Sequence, residues 1–230
     1  MNLLHHWLAA AAVLSLCACT TAPLPTRPSP VSSTDAALAL TGYEPAFYRA
    51  LLQNGHDSPD RLESVRLLRA PIRIYLRTTD EAGRAIDENT LAMTERVLRD
   101  SALIWSGGTF GISEVLRGTA SRERVAGWIT VKWSAAPMIG RCGRSTVGTD
   151  GGFIELDGSG ACSCGSATRV YPRLIRHELG HAMGYYHTDG VDDVMYGRTI
   201  SADACDLSPS SRERRHAQLA HTPSFAASGS

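Results

Sequence analysis

Five residues in one short stretch have the types and the spacing of a metal site. His177 and His181 stand four apart, so on an α-helix both imidazoles lie on one face and can bind the same ion. Gly184 tolerates the positive φ at which a helix ends, which lets the chain return His187 as a third ligand. Three protein ligands leave one position of a tetrahedral zinc ion open for water, whose pKa zinc lowers to about 7. Glu178 is then placed to take the proton of that water.

The order HExxHxxGxxH with a downstream methionine resembles the signature of the metzincin zinc endopeptidases. The residues that follow are most similar to the matrixin branch, in which a small hydroxylated residue follows the third histidine and Met-Tyr occupies the turn. Thr188 and the run Val194-Met195-Tyr196 fit that pattern. Gly197 departs from the proline that is usual there, so we expect the pocket beside the metal to be shaped differently.

The resemblance implies a zinc-dependent endopeptidase that hydrolyses peptide bonds in proteins. It implies that Glu178 is the general base and that Met195 lies beneath the zinc as a hydrophobic floor without ligating it. The zinc ligands that it implies are His177, His181 and His187. Matrixins carry a second, structural zinc bound by histidines, but this chain has no histidine between His56 and His177, so that site cannot be built in the same way.

Several aspartates near the site have two interpretations each. Asp150 and Asp157 stand beside glycines and could supply oxygen ligands for calcium, or they could be ordinary turn residues. Asp189, Asp192 and Asp193 follow the third histidine, where they could orient the imidazoles or merely solvate a loop. The sequence does not decide between these interpretations.

The first eighteen residues are apolar, rich in alanine and leucine, and too short to span a bilayer comfortably, which is typical of an export signal. Leu16-Cys17-Ala18-Cys19 resembles the lipobox of bacterial lipoproteins, in which a cysteine after the cleavage site is acylated. Cys19 fits that role because the small Ala18 precedes it. Several acyl chains would hold the protein to a membrane firmly. Thr20, in place of the aspartate that retains lipoproteins in the inner membrane, favours the outer membrane, facing the periplasm or the surface.

Four cysteines would remain in the mature chain, and an even count in an exported protein predicts two disulfides. Of the possible pairs, Cys162 with Cys164 is the least favoured because so short a loop strains the bridge. A second metal site is the competing interpretation. Arg141-Cys142-Gly143 resembles the core of the matrixin cysteine switch. A disulfide is favoured for Cys142, because the same chain has three other cysteines. The four are Cys142, Cys162, Cys164 and Cys205.

Residues 35–70 carry apolar side chains at helical spacing, interrupted at 54–59 by residues typical of turns, among them His56, Asp57 and Pro59. The pattern predicts two short helices. They could pack on the domain that follows or form a short propeptide that is removed, and the sequence leaves both open.

The remaining elements must position the site. Amphipathic spacing predicts helices over 90–105, 170–186 and 210–220, the last with Ser208 as N-cap and Pro209 at its first position. Runs typical of strands lie at 72–77, 112–116, 128–133 and 152–156. In metzincins the strand that corresponds to 152–156 lies at the sheet edge above the cleft, where an extended substrate could pair with it.

Together these elements predict an α/β fold in the loose sense (α+β): a twisted mixed sheet of about five strands, two long helices, and a small C-terminal subdomain after Gly184. The expected organisation is a signal peptide at 1–18, a lipidated cysteine and proline-rich tether at 19–34, the helical segment or propeptide at 35–70, a zinc metallopeptidase domain at 71–222 and a tail at 223–230.

The formal charge is balanced, with 23 Lys and Arg against 23 Asp and Glu, so nothing indicates a nucleic acid as partner. We expect a monomer that meets a protein or peptide substrate and a membrane. Two alternatives to a general endopeptidase stay open. One is a membrane-anchored zinc-binding protein without general proteolytic activity, and the other is a narrowly specific processing protease of the cell envelope.

Overall fold

The computed structural model of the chain describes residues 33–165, 167–198 and 204–222. The expected signal peptide, Cys19, all but the end of the tether, and the tail lie outside the described residues. No helix in the described part of the chain combines the length and the apolarity needed to cross a bilayer.

Five strands form one mixed sheet. They are β1 (Ile72–Arg77), β2 (Ile112–Gly118), β3 (Trp128–Ser134), β4 (Gly143–Ser145) and β5 (Phe153–Asp157). Their order across the sheet is β2-β1-β3-β5-β4, with β4 antiparallel to β5 and every other pair parallel. The mixed α/β fold with about five strands that the sequence predicts is therefore confirmed.

The position of the sheet edge differs from the expectation. β5 lies inside the sheet, and the edge is β4, a three-residue strand that the sequence pattern did not predict. The sequence Gly143-Arg144-Ser145 is too short and too polar to show the alternation of apolar residues that marks a strand. Its pairing with β5 comes from tertiary structure, and a disulfide from the preceding Cys142 anchors it there.

Five helices complete the described fold. They are α1 (Ser33–Leu40), α2 (Pro45–Gln53), α3 (Glu88–Trp105), α4 (Pro172–Met183) and α5 (Ser211–Ala220). The two longest, α3 and α4, pack against each other, and their apolar faces form part of the core. α4 is shorter than the expected 170–186 because Pro172 begins it and Gly184, at φ 108°, ends it.

The N-cap of α5 also differs from the expectation. Ser210, rather than Ser208, caps the helix, because its hydroxyl accepts a hydrogen bond from the backbone N–H of Glu213 at 3.1 Å. The Glu213 carboxylate in turn accepts from the backbone N–H of Ser210 at 2.7 Å. This reciprocal pair is a capping box, which satisfies two N–H groups at once and so outcompetes a lone serine two residues earlier.

Close packing of α4 depends on Gly180. A Cβ there would lie 2.5 Å from Sδ of Met195 and 3.2 Å from the ring of Trp105, so only glycine lets α4 approach both. The Trp105 indole N–H donates to the carbonyl of Arg176 at 3.0 Å, and the Tyr185 hydroxyl donates to the carbonyl of Trp105 at 2.6 Å. These bonds join the end of α3 to Arg176, just before His177, and to Tyr185, just after the end of α4.

The segment at 35–70 is part of the same core. α2 buries Leu51 and Leu52 completely, and the Leu51 carbonyl accepts from the backbone N–H of Tyr186 at 2.8 Å. Further along, the N–H of Leu68 donates to the carbonyl of Met183 at 3.1 Å. The segment therefore holds the end of α4 from two sides.

Candidate metal centre

The three imidazoles that the sequence predicts as metal ligands converge on one point. Nε2 of His181 lies 3.1 Å from Nε2 of His177 and 3.1 Å from Nε2 of His187. The first two stand one above the other on α4, and the left-handed Gly184 turns the chain so that the third ring comes back to them. Within the described ranges, this is the only group of three or more His, Cys, Asp or Glu side chains that could hold a metal ion.

Hydrogen bonds fix the tautomer of the two helical rings. Nδ1 of His177 lies 2.8 Å from the carbonyl oxygen of Val194, and Nδ1 of His181 lies 2.8 Å from that of Tyr185. A carbonyl oxygen can only accept, so each Nδ1 carries the proton and each Nε2 presents a lone pair. Burial lowers the pKa of His177 to about 4 and that of His181 well below its usual value. Both rings are therefore neutral at pH 7.

A carboxylate from outside the motif holds the third ring. Oδ2 of Asp57 lies 2.7 Å from Nδ1 of His187. The sequence assigned Asp57 to a turn, and no local pattern could have identified it, because 130 residues separate the two partners. A Cβ on Gly197 would lie 2.8 Å from Cγ of His187, so the glycine that replaces the usual proline leaves room for this ring.

This donor set fits a divalent transition-metal ion. The lone pair on Nε2 of His181 lies 3.1 Å from each of the other two Nε2 atoms, and such lone pairs repel unless a cation lies between them. Imidazole nitrogens bind zinc at about 2.0 Å, which places them about 3.3 Å apart in a tetrahedral site. Imidazole also suits copper, iron and nickel, so the ligands alone do not specify the metal.

Glu178 lies beside the imidazoles with unused hydrogen-bonding capacity. It is 3% exposed, and its Oε2 has no hydrogen-bond partner among the described residues. Burial raises the pKa of Glu178 to about 8, and the nearby Arg141 opposes that shift. Its carboxyl packs directly on the edge strand, where a Cβ on Gly143 would lie 2.6 Å from Oε1. The arrangement gives a carboxyl group that can exchange a proton next to the metal ligands.

The methionine turn, residues 194–196, carries Met195, which is fully buried and does not belong to the group that could hold a metal ion. Glu213 holds it: its carboxylate accepts from the backbone N–H of Val194 at 3.0 Å and from that of Met195 at 2.8 Å. The carbonyl of Met195 accepts from the N–H of Thr188 at 2.9 Å. Burial raises the pKa of Glu213 to about 7, although these N–H groups oppose the shift. Sequence reasoning missed Glu213, yet the capping-box spacing of serine and glutamate could have identified it.

The three aspartates after His187 do not touch an imidazole. Asp193 is buried, and its carboxylate accepts from the Thr188 hydroxyl at 2.9 Å and from the Arg212 guanidinium at 2.8 Å. It therefore holds the loop that carries the third ligand. Asp189 and Asp192 are exposed.

Two disulfides join the predicted cysteines, which confirms that expectation. Cys142 pairs with Cys162 and Cys164 pairs with Cys205, at Cα–Cα distances of 5.7 and 6.4 Å. The pair that the sequence disfavoured is not formed. Cys142 has no free thiol, so its resemblance to a cysteine switch does not extend to metal binding.

The two aspartates considered for calcium make turn contacts. The carboxylate of Asp157 accepts from the N–H of Ser159 at 2.7 Å and from that of Met138 at 3.3 Å. Asp150 accepts from the N–H of Gly127. Calcium binding stays a prediction.

The metal ligands and Glu178 open onto a cleft of about 1310 Å³. β4, the start of α4 and the methionine turn all contribute to the lining of the cleft. The carbonyl of Cys142 and the N–H of Thr146 bond to β5. Because the bonding direction alternates along an antiparallel strand, the backbone N–H and C=O groups of Gly143 and Ser145 point away from β5. The cleft is therefore bordered by a strand edge that can pair with an extended chain.

Comparison with solved structures finds distant likenesses, among them a metalloproteinase and a chaperone-substrate complex. Metalloproteinase-II from Bacteroides fragilis is 13% identical over 66% of this chain and 53% of its own, with a TM-score of 0.46. A chaperone-substrate complex is 13% identical over 69% of this chain and 34% of its own, with a TM-score of 0.41. This chain thus spans about half the length of the first and a third of the second. No family model matches the chain, and no curated protein matches it.

Proposed function

We propose that this protein is a zinc-dependent endopeptidase that cleaves peptide bonds in proteins or peptides. The observation that supports it most directly is the convergence of three imidazole Nε2 atoms beside the buried carboxyl of Glu178, on an open cleft. The resemblance of Thr188 and of the run 194–196 to matrixins favours that branch of the metzincins. The metal is proposed to be zinc because zinc suits a three-imidazole site with one open position.

Each residue of the site has a defined part in the proposed reaction. His177, His181 and His187 would hold a zinc ion, which supplies a Lewis acid and lowers the pKa of water at its open position. A cation held by the three histidines would favour the carboxylate form of Glu178. That carboxylate would take a proton from the attacking water and deliver it to the leaving amine, which its unpartnered Oε2 allows. Met195 closes the floor beneath the ligands with apolar surface.

The edge of β4 is proposed to align the substrate. An extended peptide can add to a free strand edge through main-chain hydrogen bonds, which are independent of its sequence. Gly143 and Ser145 offer such groups, and Gly143 also touches Glu178. A peptide paired there therefore runs past the catalytic carboxyl, so its scissile bond is brought to the metal ligands.

The variant Glu178→Gln tests the mechanism because it keeps the shape of the side chain and removes its basicity. We expect the variant to bind zinc with the stoichiometry of the wild type and to lose at least about 10²-fold in kcat on a denatured protein substrate. Zinc content is measured by elemental analysis of the same sample. Wild-type turnover in the zinc-loaded variant would refute the assigned role.

We also propose that segment 35–70 stays in the mature protein. Removing it would expose the apolar cavity now filled by Leu51 and Leu52, and it would take Asp57 away from His187. Mass spectrometry of the active protein tests this proposal. An N-terminus beyond residue 70 in fully active material would contradict it.

The proposed location is the outer membrane, through a lipid on Cys19. The two disulfides support export, since such bonds persist in oxidising compartments. Metabolic labelling with a fatty acid should mark the wild type and not the variant Cys19→Ala. Labelling of both proteins, or of neither, would contradict the lipid anchor.

A further inference from the structure

Arg173 lies at the metal centre without a part in the proposed reaction. It stands four residues before His177 on α4, so its side chain projects from the face that carries the first two ligands. The residue is 2% exposed, yet it contributes to the lining of the cleft. At 1.5 Å per residue, the two Cα positions are about 6 Å apart along the helix axis.

The guanidinium of Arg173 is only partly satisfied. One terminal nitrogen donates to the carbonyl oxygen of Asp193 at 2.6 Å, and the other, Nη1, has no hydrogen-bond partner among the described residues. The nearest buried carboxylates are engaged elsewhere: Asp193 pairs with Arg212, and Glu213 accepts backbone N–H groups of the methionine turn. Within the described ranges, no carboxylate lies within 4.0 Å of the Arg173 guanidinium. Glu213 and Asp193 act on the charge of Arg173 without pairing with it, and Nη1 lacks a hydrogen bond. A buried charge that is only partly compensated is costly, so its retention calls for an explanation.

Four apolar or aromatic residues from the start of α4 and from the run 194–196 line the cleft together with Arg173. They are Tyr171, Leu174, Val194 and Tyr196. A buried charged group recognises an opposite charge strongly, because little water competes for it.

We propose that Arg173 is the specificity-determining residue of a carboxylate-binding subsite, so that this protein cleaves next to acidic residues. The inference rests on the proposed peptidase function. A substrate chain paired with β4 advances about 3.3 Å per residue, so a side chain adjacent to the scissile bond can reach Arg173. The planar guanidinium matches a carboxylate geometrically, and Nη1 supplies the donor that is still free. The carboxylate can come from an aspartate or glutamate side chain or from the C-terminus of a peptide.

The test measures binding to the zinc-loaded, non-cleaving variant Glu178→Gln, so it does not depend on turnover. The probes are pairs of fluorescent peptides. The two members of a pair differ only at one position, where one has Glu and the other Gln, and each position is tested in turn. Every peptide is made both with an amidated and with a free C-terminus. We expect a Glu peptide to bind at least about tenfold more tightly than its Gln partner at one position, because a site built for a polar group rejects the analogue that lacks it. A preference confined to free C-termini assigns the subsite to the terminal carboxylate instead.

Further substitutions show whether Arg173 is responsible. Arg173→Met should abolish the preference while the zinc content stays at the wild-type value, and Arg173→Lys should keep part of it because the charge remains. Arg198, an exposed arginine at the same cleft, provides the matched control, and Arg198→Met should keep the full preference. Equal binding of all peptides, or a preference that survives Arg173→Met, would overturn the inference. Failure of the wild type to cleave any peptide would instead overturn the proposed function.

Discussion

Asp57 and His187 join the N-terminal segment to the metal centre, with Oδ2 of the carboxylate 2.7 Å from Nδ1 of the ring. A carboxylate in this position orients the imidazole and raises its basicity, which strengthens metal binding. The Nδ1–H groups of His177 and His181 donate only to backbone carbonyl oxygens. His187 is therefore the predicted ligand whose affinity for a metal would depend on a distant part of the chain.

Asp57→Ala should weaken zinc binding by about 10- to 100-fold, which is the usual effect of losing such a partner. Asp57→Asn should weaken it less, because the amide oxygen still accepts a hydrogen bond. Competition with a chromophoric chelator measures both affinities. Asp60→Ala removes another exposed charge three residues away and should bind zinc as the wild type does. Equal affinities in Asp57→Ala and the wild type would show that the contact does not act on the metal.

Gly143→Ala should impair proton transfer by Glu178 and leave metal binding unchanged. The added Cβ would lie 2.6 Å from Oε1 of Glu178 and 2.9 Å from its Cδ, and the buried carboxyl must move to make room. Displacement of a catalytic group by about 1 Å costs about 10²-fold, so kcat should fall while zinc affinity is kept.

The matched control for this variant is Gly111→Ala. Its Cβ would meet Leu103 at 3.5 Å, an ordinary van der Waals distance, so kcat should not change. Unchanged turnover in Gly143→Ala would mean that β4 does not constrain Glu178.

His216 should make the fold sensitive to acid. Its Nε2 accepts from the backbone N–H of Glu44 at 3.0 Å and its Nδ1 donates to the carbonyl of Arg212, so the contact between α2 and α5 needs the neutral ring. Burial lowers the pKa of His216 below its usual 6.5. Between these two pKa values the unfolded chain binds the proton and the folded chain does not. Stability from this group is therefore complete above pH 6.5 and is lost as the pH falls towards the folded pKa.

Urea unfolding of His216→Gln at pH 7.5 and at pH 5 measures this contribution. The variant should be less stable than the wild type at pH 7.5 and should lose less stability on acidification. One such group contributes at most about 1.4 kcal/mol per pH unit. The pKa of His221 is also lowered, to about 4, and its similar contribution should persist in the variant. Identical acid sensitivity in both proteins would contradict the assignment to His216.

Each disulfide should stabilise the domain in proportion to the logarithm of the loop it closes. The bridges span 20 and 41 residues, which corresponds to about 3 and about 4 kcal/mol in the chain-entropy description. Replacing Cys142 and Cys162 by serine should also lower turnover, because it releases the strand that packs on Glu178. Replacing Cys164 and Cys205 should affect stability more than turnover. Unfolding and peptide assays on the two double variants provide the comparison.

The metal centre could be predicted because its signal is local. Helical spacing aligns His177 and His181, and the glycine at 184 has to end the helix before His187. The four longer strands and the three longest helices likewise carry periodic apolar residues that reflect burial on one face.

The residues that support the centre could not be predicted in the same way. Asp57 acts across 130 residues, and β4 is a strand only because β5 and a disulfide hold it in place. Arg173 resembles any helix surface residue until the fold buries it. Glu213 differs, since its capping-box spacing is visible in the sequence even though its bonds to the methionine turn are not.

The central claim is that one zinc ion, held by three histidines, is needed for peptide-bond cleavage. The most direct measurement strips the metal from the full chain and follows cleavage of a denatured protein while zinc is added back. The account predicts no cleavage by the stripped protein and a rate that saturates at one equivalent of zinc per chain. Cleavage by the stripped protein at the full rate, or none at any zinc concentration, would contradict it.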